Sequence, residues 1–197
     1  MGVAHALRED YKEALACFDR AVEIYPYFME GWFNKAVTHR KMYDIRRAIQ
    51  AYQRVIELDS IDGDGPQAKN AREFFQSVEE NICKDLGLSL DAYVDAMSVY
   101  DESFAHLENN RYEKAREGFL KVLAATDNHV QSLGNLALCH AFLGDKQKAL
   151  ETLDKALAID PEYLPARQNK AIILALPEGE SLPQGGIKTI GYPDLNQ

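Results

Sequence analysis

Four of the five histidines stand in register. His5, His39, His106 and His140 are separated by 34, 67 and 34 residues. Imidazole is a common metal ligand, so a recurring histidine raises the question of a metal ladder. Helix geometry argues against one. Equivalent residues on neighbouring helices lie ~8–10 Å apart, whereas one ion needs ligands at ~2 Å. No cysteine or acid stands directly beside each histidine, so these side chains read as packing residues hydrogen-bonded to a neighbour. Asp62-x-Asp64-Gly65 echoes the middle of a calcium loop, with Ser60 at its start. The closing position holds Ala71 rather than a bidentate glutamate, which points to a turn. Cys17, Cys83 and Cys139 lie inside apolar helical patterns and read as buried free thiols in a reducing, cytoplasmic setting. No Gly-x-Ser-x-Gly, His-Glu-x-x-His or phosphate-loop sequence occurs. The expectation is a chain that is not an enzyme and takes no cofactor or metal.

The elements that must position these residues are helices. The 197 residues carry a formal charge of −9. Residues 63–129 hold 13 acids and 7 bases, most of that excess. Nucleic-acid binding needs a basic stripe to neutralise phosphates, and none is evident. No apolar run reaches the ~20 residues of a membrane span.

Alanine recurs with the same period as histidine, at Ala14, Ala48, Ala115 and Ala149. Four residues after each comes a bulky side chain: Phe18, Tyr52, Phe119, Leu153. Three further on comes Ala21, Val55, Val122 or Ala156, and five beyond that Pro26, Ser60, Asp127 or Pro161. Positions i, i+4 and i+7 share one helical face. The small residue lets two helices approach, and the large one fills the gap toward the next pair. A period of 34 with this order marks a helix–turn–helix unit that buries its apolar face only by stacking.

Trp32-x-x-Lys35-Ala36-x-x-His39 followed by Ala48-x-x-x-Tyr52, and Leu133-x-x-Leu136-Ala137-x-x-His140 followed by Gly144-Asp145, Ala149-x-x-x-Leu153 and Asp160-Pro161, resemble the tetratricopeptide repeat family. The resemblance implies an all-α fold, a right-handed superhelical array of antiparallel helix pairs. The units divide as a partial repeat 1–28, a repeat 29–62, a degenerate helical insert 63–95, repeats 96–129 and 130–163, and a capping helix 164–176. Together these make an array over 1–176. Residues 177–197 form a Pro/Gly-rich linker or irregular strap, in which Ile187, Ile190, Tyr192 and Leu195 offer apolar contacts.

In the insert, Pro66 opens a helix whose apolar positions are Ala68, Ala71, Phe74, Phe75, Val78 and Ile82. Gly87 stops it, and Ser89 caps the next.

In the family, the first helix of each unit lines a concave face. The resemblance therefore implies a peptide-binding groove, its outward positions including Phe33, Asn34, Val37, Arg40 and Lys41 in one repeat. Met97, Tyr100, Asp101 and Phe104 follow in the next, then Gln131, Asn135 and Leu138, and Asn169 in the capping helix. Asn34, Asp101, Asn135 and Asn169 form a polar row suited to a peptide backbone. Phe33, Tyr100, Phe104, Met97 and Leu138 are apolar anchors around it; packing of some aromatics on the inserted helix is the alternative. Arg40, Lys41, Arg46 and Arg47 form one local basic cluster, open to an acidic peptide or simply solvated. The carboxylate clamp by which some family members hold chaperone tails is absent: Phe33, Val37 and Pro165 occupy its positions, and Asn135 alone agrees. The expected role is a non-catalytic scaffold for a protein or peptide partner. The alternative is a structural arm that self-associates through its N-terminal repeat.

Overall fold

In the computed structural model the described residues are 1–59, 65–177 and 179–183. Their regular structure is helix, with no strand among them. The chain divides into two compact units, Met1–Cys83 and a second beginning at Lys84.

The first unit contains α1 (Gly2–Leu7), α2 (Tyr11–Ile24), α3 (Met29–Lys41), α4 (Ile45–Leu58) and α5 (Pro66–Val78). Each packs on the next along the chain. Pro66 sits in the first turn of α5, where its missing N–H costs nothing. After Val78 the chain winds as a π-helix over Glu79–Cys83. An i→i+5 turn moves the buried position on by one residue. Cys83 is therefore buried beneath Val78, and Ile82, expected on the apolar face, is only half-buried.

The second unit opens with the three-residue α6 (Lys84–Leu86), and Gly87 follows at φ +69°. Then come α7 (Leu90–Glu108), α8 (Tyr112–Ala125), α9 (Val130–Phe142), α10 (Lys146–Ile159) and α11 (Leu164–Ala175). Ser89 Oγ accepts the Ala92 N–H at 3.2 Å and starts α7. Asp145 accepts the Lys148 N–H at 3.1 Å and starts α10.

The recurrent alanines Ala14, Ala48, Ala115 and Ala149 are fully buried, and Phe18, Tyr52, Phe119 and Leu153 are buried with them. α7 and α8 approach closely at Gly118. A Cβ added at Gly118 would lie 1.8 Å from Ser103 Oγ.

A second recurrence closes the first helix of each pair. Glu9, Tyr43, Asn110 and Gly144 adopt positive φ, with the same spacing as the alanines. The next residue's N–H then reaches back to the carbonyl of His5, His39, His106 or His140 at 2.8–3.0 Å. This six-to-one closure satisfies carbonyls that a helix end leaves open. The histidines mark this turn. An acid does recur in three of the four, five residues on. His5 lies 3.6 Å from Asp10 and His39 lies 3.4 Å from Asp44. Asp145 acts on His140 through its charge. The other repeat has Arg111 at that place, and His106 lies 3.8 Å from Glu102 instead.

Candidate functional site: the inner helices of each unit

In the second unit α9 is flanked by α7 and α11. Nine of its thirteen residues are buried. Small residues Gly134, Ala137 and Ala141 let neighbours close on it from several sides. Asn135 Nδ2 donates to the Tyr100 hydroxyl at 3.0 Å, joining α9 to α7 inside the protein. The Tyr100 ring stacks on Phe104 at 6.3 Å and meets the His129 imidazole edge-on at 5.3 Å. Burial, with the nearby Tyr163 hydroxyl, pushes the Tyr100 phenol far above its ordinary value. Burial also raises Tyr163, to about 12. Both phenols stay protonated and neutral at any physiological pH.

His129 caps α9. Its Nδ1 accepts the Ser132 N–H at 3.3 Å and lies 2.7 Å from Ser132 Oγ. Burial lowers its pKa to about 4, so the ring is neutral near pH 7.

These contacts correct the expected solvent-facing row. Met97, Tyr100, Asn135, Leu138 and Asn169 are buried. The physical reason is that α9 has helices on both flanks, so side chains aimed inward meet a neighbour before water. Asp101 and Phe104 remain half-exposed, and Gln131 is exposed. The polar row in this unit is thus largely a buried floor with a partly open rim.

The first unit differs. Only Gly31, Ala36, Thr38 and His39 are buried on α3. Asn34 and Val37 are half-exposed and Lys41 is exposed. Phe33 is taken up by packing, edge-on to Tyr52 at 5.9 Å, and Tyr52 in turn lies 5.2 Å from Phe74 of α5. Arg40 sits over the Phe74 ring at 5.9 Å. The inserted helix therefore engages Arg40 directly, while Phe33 packs on Tyr52 of α4, which lies between it and Phe74.

The basic cluster is dispersed as well. Arg40 lies on Phe74; Arg46 is buried and donates to Gln50 Oε1 at 3.2 Å; Arg47 pairs with Asp44 at 2.6 Å. Behind α3 and α4 is a hollow of about 480 Å³ lined by Trp32, Lys35, His39, Arg47, Gln50, Ala51 and Arg54. Each of its three cations has a carboxylate: Asp19 for Lys35, Asp44 for Arg47, Glu57 for Arg54. The carboxylates neutralise the hollow locally.

The three cysteines are free thiols, Cys17 partly exposed and the others buried. Burial pushes the Cys139 thiol up to about 12, and burial beside Glu79 raises Cys83, so both are poor nucleophiles. Among the described residues no three His, Cys, Asp or Glu side chains gather as a metal set. No helix there is long and apolar enough to cross a membrane. Asp62-x-Asp64 and the apolar tail residues Ile187, Ile190, Tyr192 and Leu195 lie outside the described residues.

Two features went unread in the sequence. Ile24, Tyr25, Tyr27 and Phe28 are exposed around an open apolar hollow of about 810 Å³, with Tyr27 81 % exposed. The signal was present: a Tyr-Pro-Tyr-Phe run where a connecting loop is ordinarily polar. The second is Leu182, beyond the last helix and only 4 % exposed. One leucine in a Pro/Gly-rich tail gives no periodicity to detect.

Comparison with known proteins agrees with this architecture. Tetratricopeptide-repeat family models match residues 1–28 and 30–62, and residues 130–163. A photosystem I assembly protein, Ycf3, of Prochlorococcus marinus is 29 % identical over 131 residues, 61 % of this chain and 73 % of that one. The TPR repeat-containing protein MJ1345 of Methanocaldococcus jannaschii is 34 % identical over 91 residues, 45 % of this chain and 27 % of that one. Among solved structures, the thermophilic TPR protein TTC0263 of Thermus thermophilus is 21 % identical with a TM-score of 0.42, covering 89 % of this chain and 96 % of its own. With the recurrent buried alanines, the matching turns and the repeat models in agreement, the chain belongs to the tetratricopeptide-repeat family.

Proposed function

We propose that the protein is a non-catalytic interaction scaffold that holds an extended segment or helix of a partner against the inner helices of its repeats. The observation that carries the reading is the inner side of the second unit. There α7, α9 and α11 present a rigid floor, tied by the Asn135–Tyr100 hydrogen bond, beneath the half-exposed Asp101 and Phe104 and the exposed Gln131. A floor that is already ordered lowers the entropic cost of docking. Phe104 supplies an apolar anchor, and Asp101 and Gln131 supply groups for main-chain N–H and C=O. In the first unit Asn34, Val37 and Lys41 of α3 form the corresponding contact row. A relative named for an assembly role fits a scaffold better than a catalyst.

The test is partner capture with purified protein from its own cells. Phe104→Ala combined with Asp101→Ala is compared with Lys121→Ala on the exposed part of α8. The reading expects the double variant to lose most of the capture and Lys121→Ala to retain it. Undiminished capture by the double variant refutes this site.

A further inference from the structure

The first repeat is closed by a shorter helix than the others. α1 has six residues, where α3 and α9 have thirteen. Its start meets the middle of α2: a Cβ added at Gly2 would lie 2.7 Å from the Phe18 ring. The stretch from Ala21 to Tyr25 runs beyond it. Ala21 shows the consequence. Its counterparts Val55, Val122 and Ala156 are buried, whereas Ala21 is half-exposed. Here the apolar hollow of about 810 Å³ opens, lined by Ala21, Ile24, Tyr25, Pro26, Tyr27 and Phe28.

α1 itself is apolar on two sides. Gly2 is buried against α2, and His5 and Ala6, on the same face, are half-buried. Val3 and Leu7 share another face and are 50 % and 81 % exposed. A two-turn helix depends on packing for its stability, and a bare apolar ridge on one calls for a second neighbour.

The exposed area is that of an interface. At ordinary side-chain areas, Val3, Leu7, Ile24, Tyr25, Tyr27 and Phe28 leave roughly 700 Å² uncovered, within the ~600–1,000 Å² that each partner gives to a stable complex. The charges favour one kind of partner. Arg20 and Glu23 lie within a turn of Ile24, Arg8 follows Leu7, and Glu30 stands just after Phe28. All four are exposed, and none is ion-paired among the described residues. A rim carrying both signs suits its own surface turned through a half-circle better than a partner of one sign.

We propose that the first repeat is a two-fold interface between two copies of this chain. The Val3–Leu7 ridge of each copy enters the hollow of the other. An isologous contact needs both halves of the fit on one surface, and the first repeat carries a ridge and a hollow, both apolar. The second copy supplies the cover that α1 is too short to give to the end of α2. The contact does not rest on the scaffold reading and uses none of its residues. It presents the second unit twice in one assembly, so a partner with two matching segments gains avidity.

The experiment is sedimentation velocity on the full chain across a concentration series, with Trp32 fluorescence as a second readout. Trp32 is the single tryptophan, and its Nε1 donates to the Pro26 carbonyl at 2.8 Å, at the edge of the hollow. The expected result is a monomer–dimer equilibrium, with Trp32 emission that shifts as the dimer is diluted. Leu7→Glu on the ridge and Tyr27→Glu at the hollow should each weaken the dimer about tenfold or more, since each sets a charge in an apolar contact. Both side chains are exposed, so circular dichroism of the variants should match wild type. Ile172→Glu, also at an exposed position but on α11, should leave the dimer intact. A chain that stays monomeric throughout overturns the proposal and leaves the hollow to a partner of another kind. So does a dimer that survives both Leu7→Glu and Tyr27→Glu, or one that Ile172→Glu dissolves as well. Growth beyond the dimer overturns the two-fold closure.

Discussion

Acid should weaken the second unit well above the range in which carboxylates titrate, and His129 should be the cause. Its imidazole is held neutral by burial, with a folded pKa of about 4 against an ordinary 6.5. The folded protein thus binds fewer protons here than the unfolded chain. As pH falls below 6.5 the unfolded state takes up a proton that the folded state refuses, and stability declines until pH reaches about 4. Linkage between these two values gives a loss of about 2 kcal/mol at pH 5 relative to pH 7.5. The geometry supplies the reason for the refusal. Nδ1 accepts the Ser132 N–H that caps α9, and the ring packs edge-on against Tyr100. Protonating Nδ1 removes the acceptor and places a charge among aromatics. The control is His129→Asn, which keeps a cap acceptor but does not titrate. Urea unfolding followed by circular dichroism at pH 7.5, 6 and 5 gives the difference between the two proteins. His140 is also lowered, chiefly by burial, but it is present in both and cancels. A nuclear magnetic resonance titration of the His129 ring reads the pKa directly. Parallel acid losses in the two proteins, or a ring that titrates near 6.5, would refute the reasoning.

Gly118→Ala should destabilise the second unit by about 2–3 kcal/mol, because its Cβ would fall 1.8 Å from Ser103 Oγ. Ser103→Gly in the same chain should recover much of that loss, and a double-mutant cycle by denaturant unfolding measures it. Asp44→Ala should cost the first unit about 2 kcal/mol, because Asp44 caps α4 through the Arg47 N–H and pairs with the Arg47 guanidinium. Burial opposes ionisation of Asp44, but its bonds to His39 and Arg47 prevail and hold its pKa at about 2. This contribution is complete above the ordinary carboxylate value of 3.8 and fades as pH falls toward about 2, which acid unfolding of the variant and parent should reveal. Tyr43→Asn should stabilise by up to about 1 kcal/mol in a thermal melt, since Tyr43 is exposed and held at φ +56°, where asparagine is less strained. A lower melting temperature would mean that the Tyr43 ring contributes a contact that outweighs the backbone strain.

The helical repeat was legible because spacing alone places residues on a helix face. Ala48, Tyr52 and Val55 fall together on α4 whatever surrounds it, and all three are buried. The Pro66 start and the Ser89 cap were legible for a similar reason, since both act within one turn of chain. The shared turn was harder to read. Gly144 and, more weakly, Asn110 advertise positive φ, while Glu9 and Tyr43 are driven there by the closure of the helix end. The π-helix at Glu79–Cys83 was not legible either, since no single residue marks the change from i+4 to i+5.

The candidate site divides along the same line. Its polar row could be numbered from the repeat register, because register is a property of the chain. Whether a row faces water depends on what lies beside it, and that is a property of three dimensions. Asn34 and Asn135 share a residue type and a repeat position. Asn34 stays half-exposed, while Asn135 is buried against Tyr100 because α9 has helices on both flanks. Arg40 was placed over Phe74 of an inserted helix whose packing partner no local pattern names, and Phe33 against Tyr52 of α4. The Leu182 N–H meets the Ala141 carbonyl, which also takes the Gly144 N–H, across some forty residues of chain. Local periodicity determined the helices, their pairing and the buried alanine seam. Only the packed structure decided which side chains remain available to a partner, since exposure is set by neighbours distant in sequence.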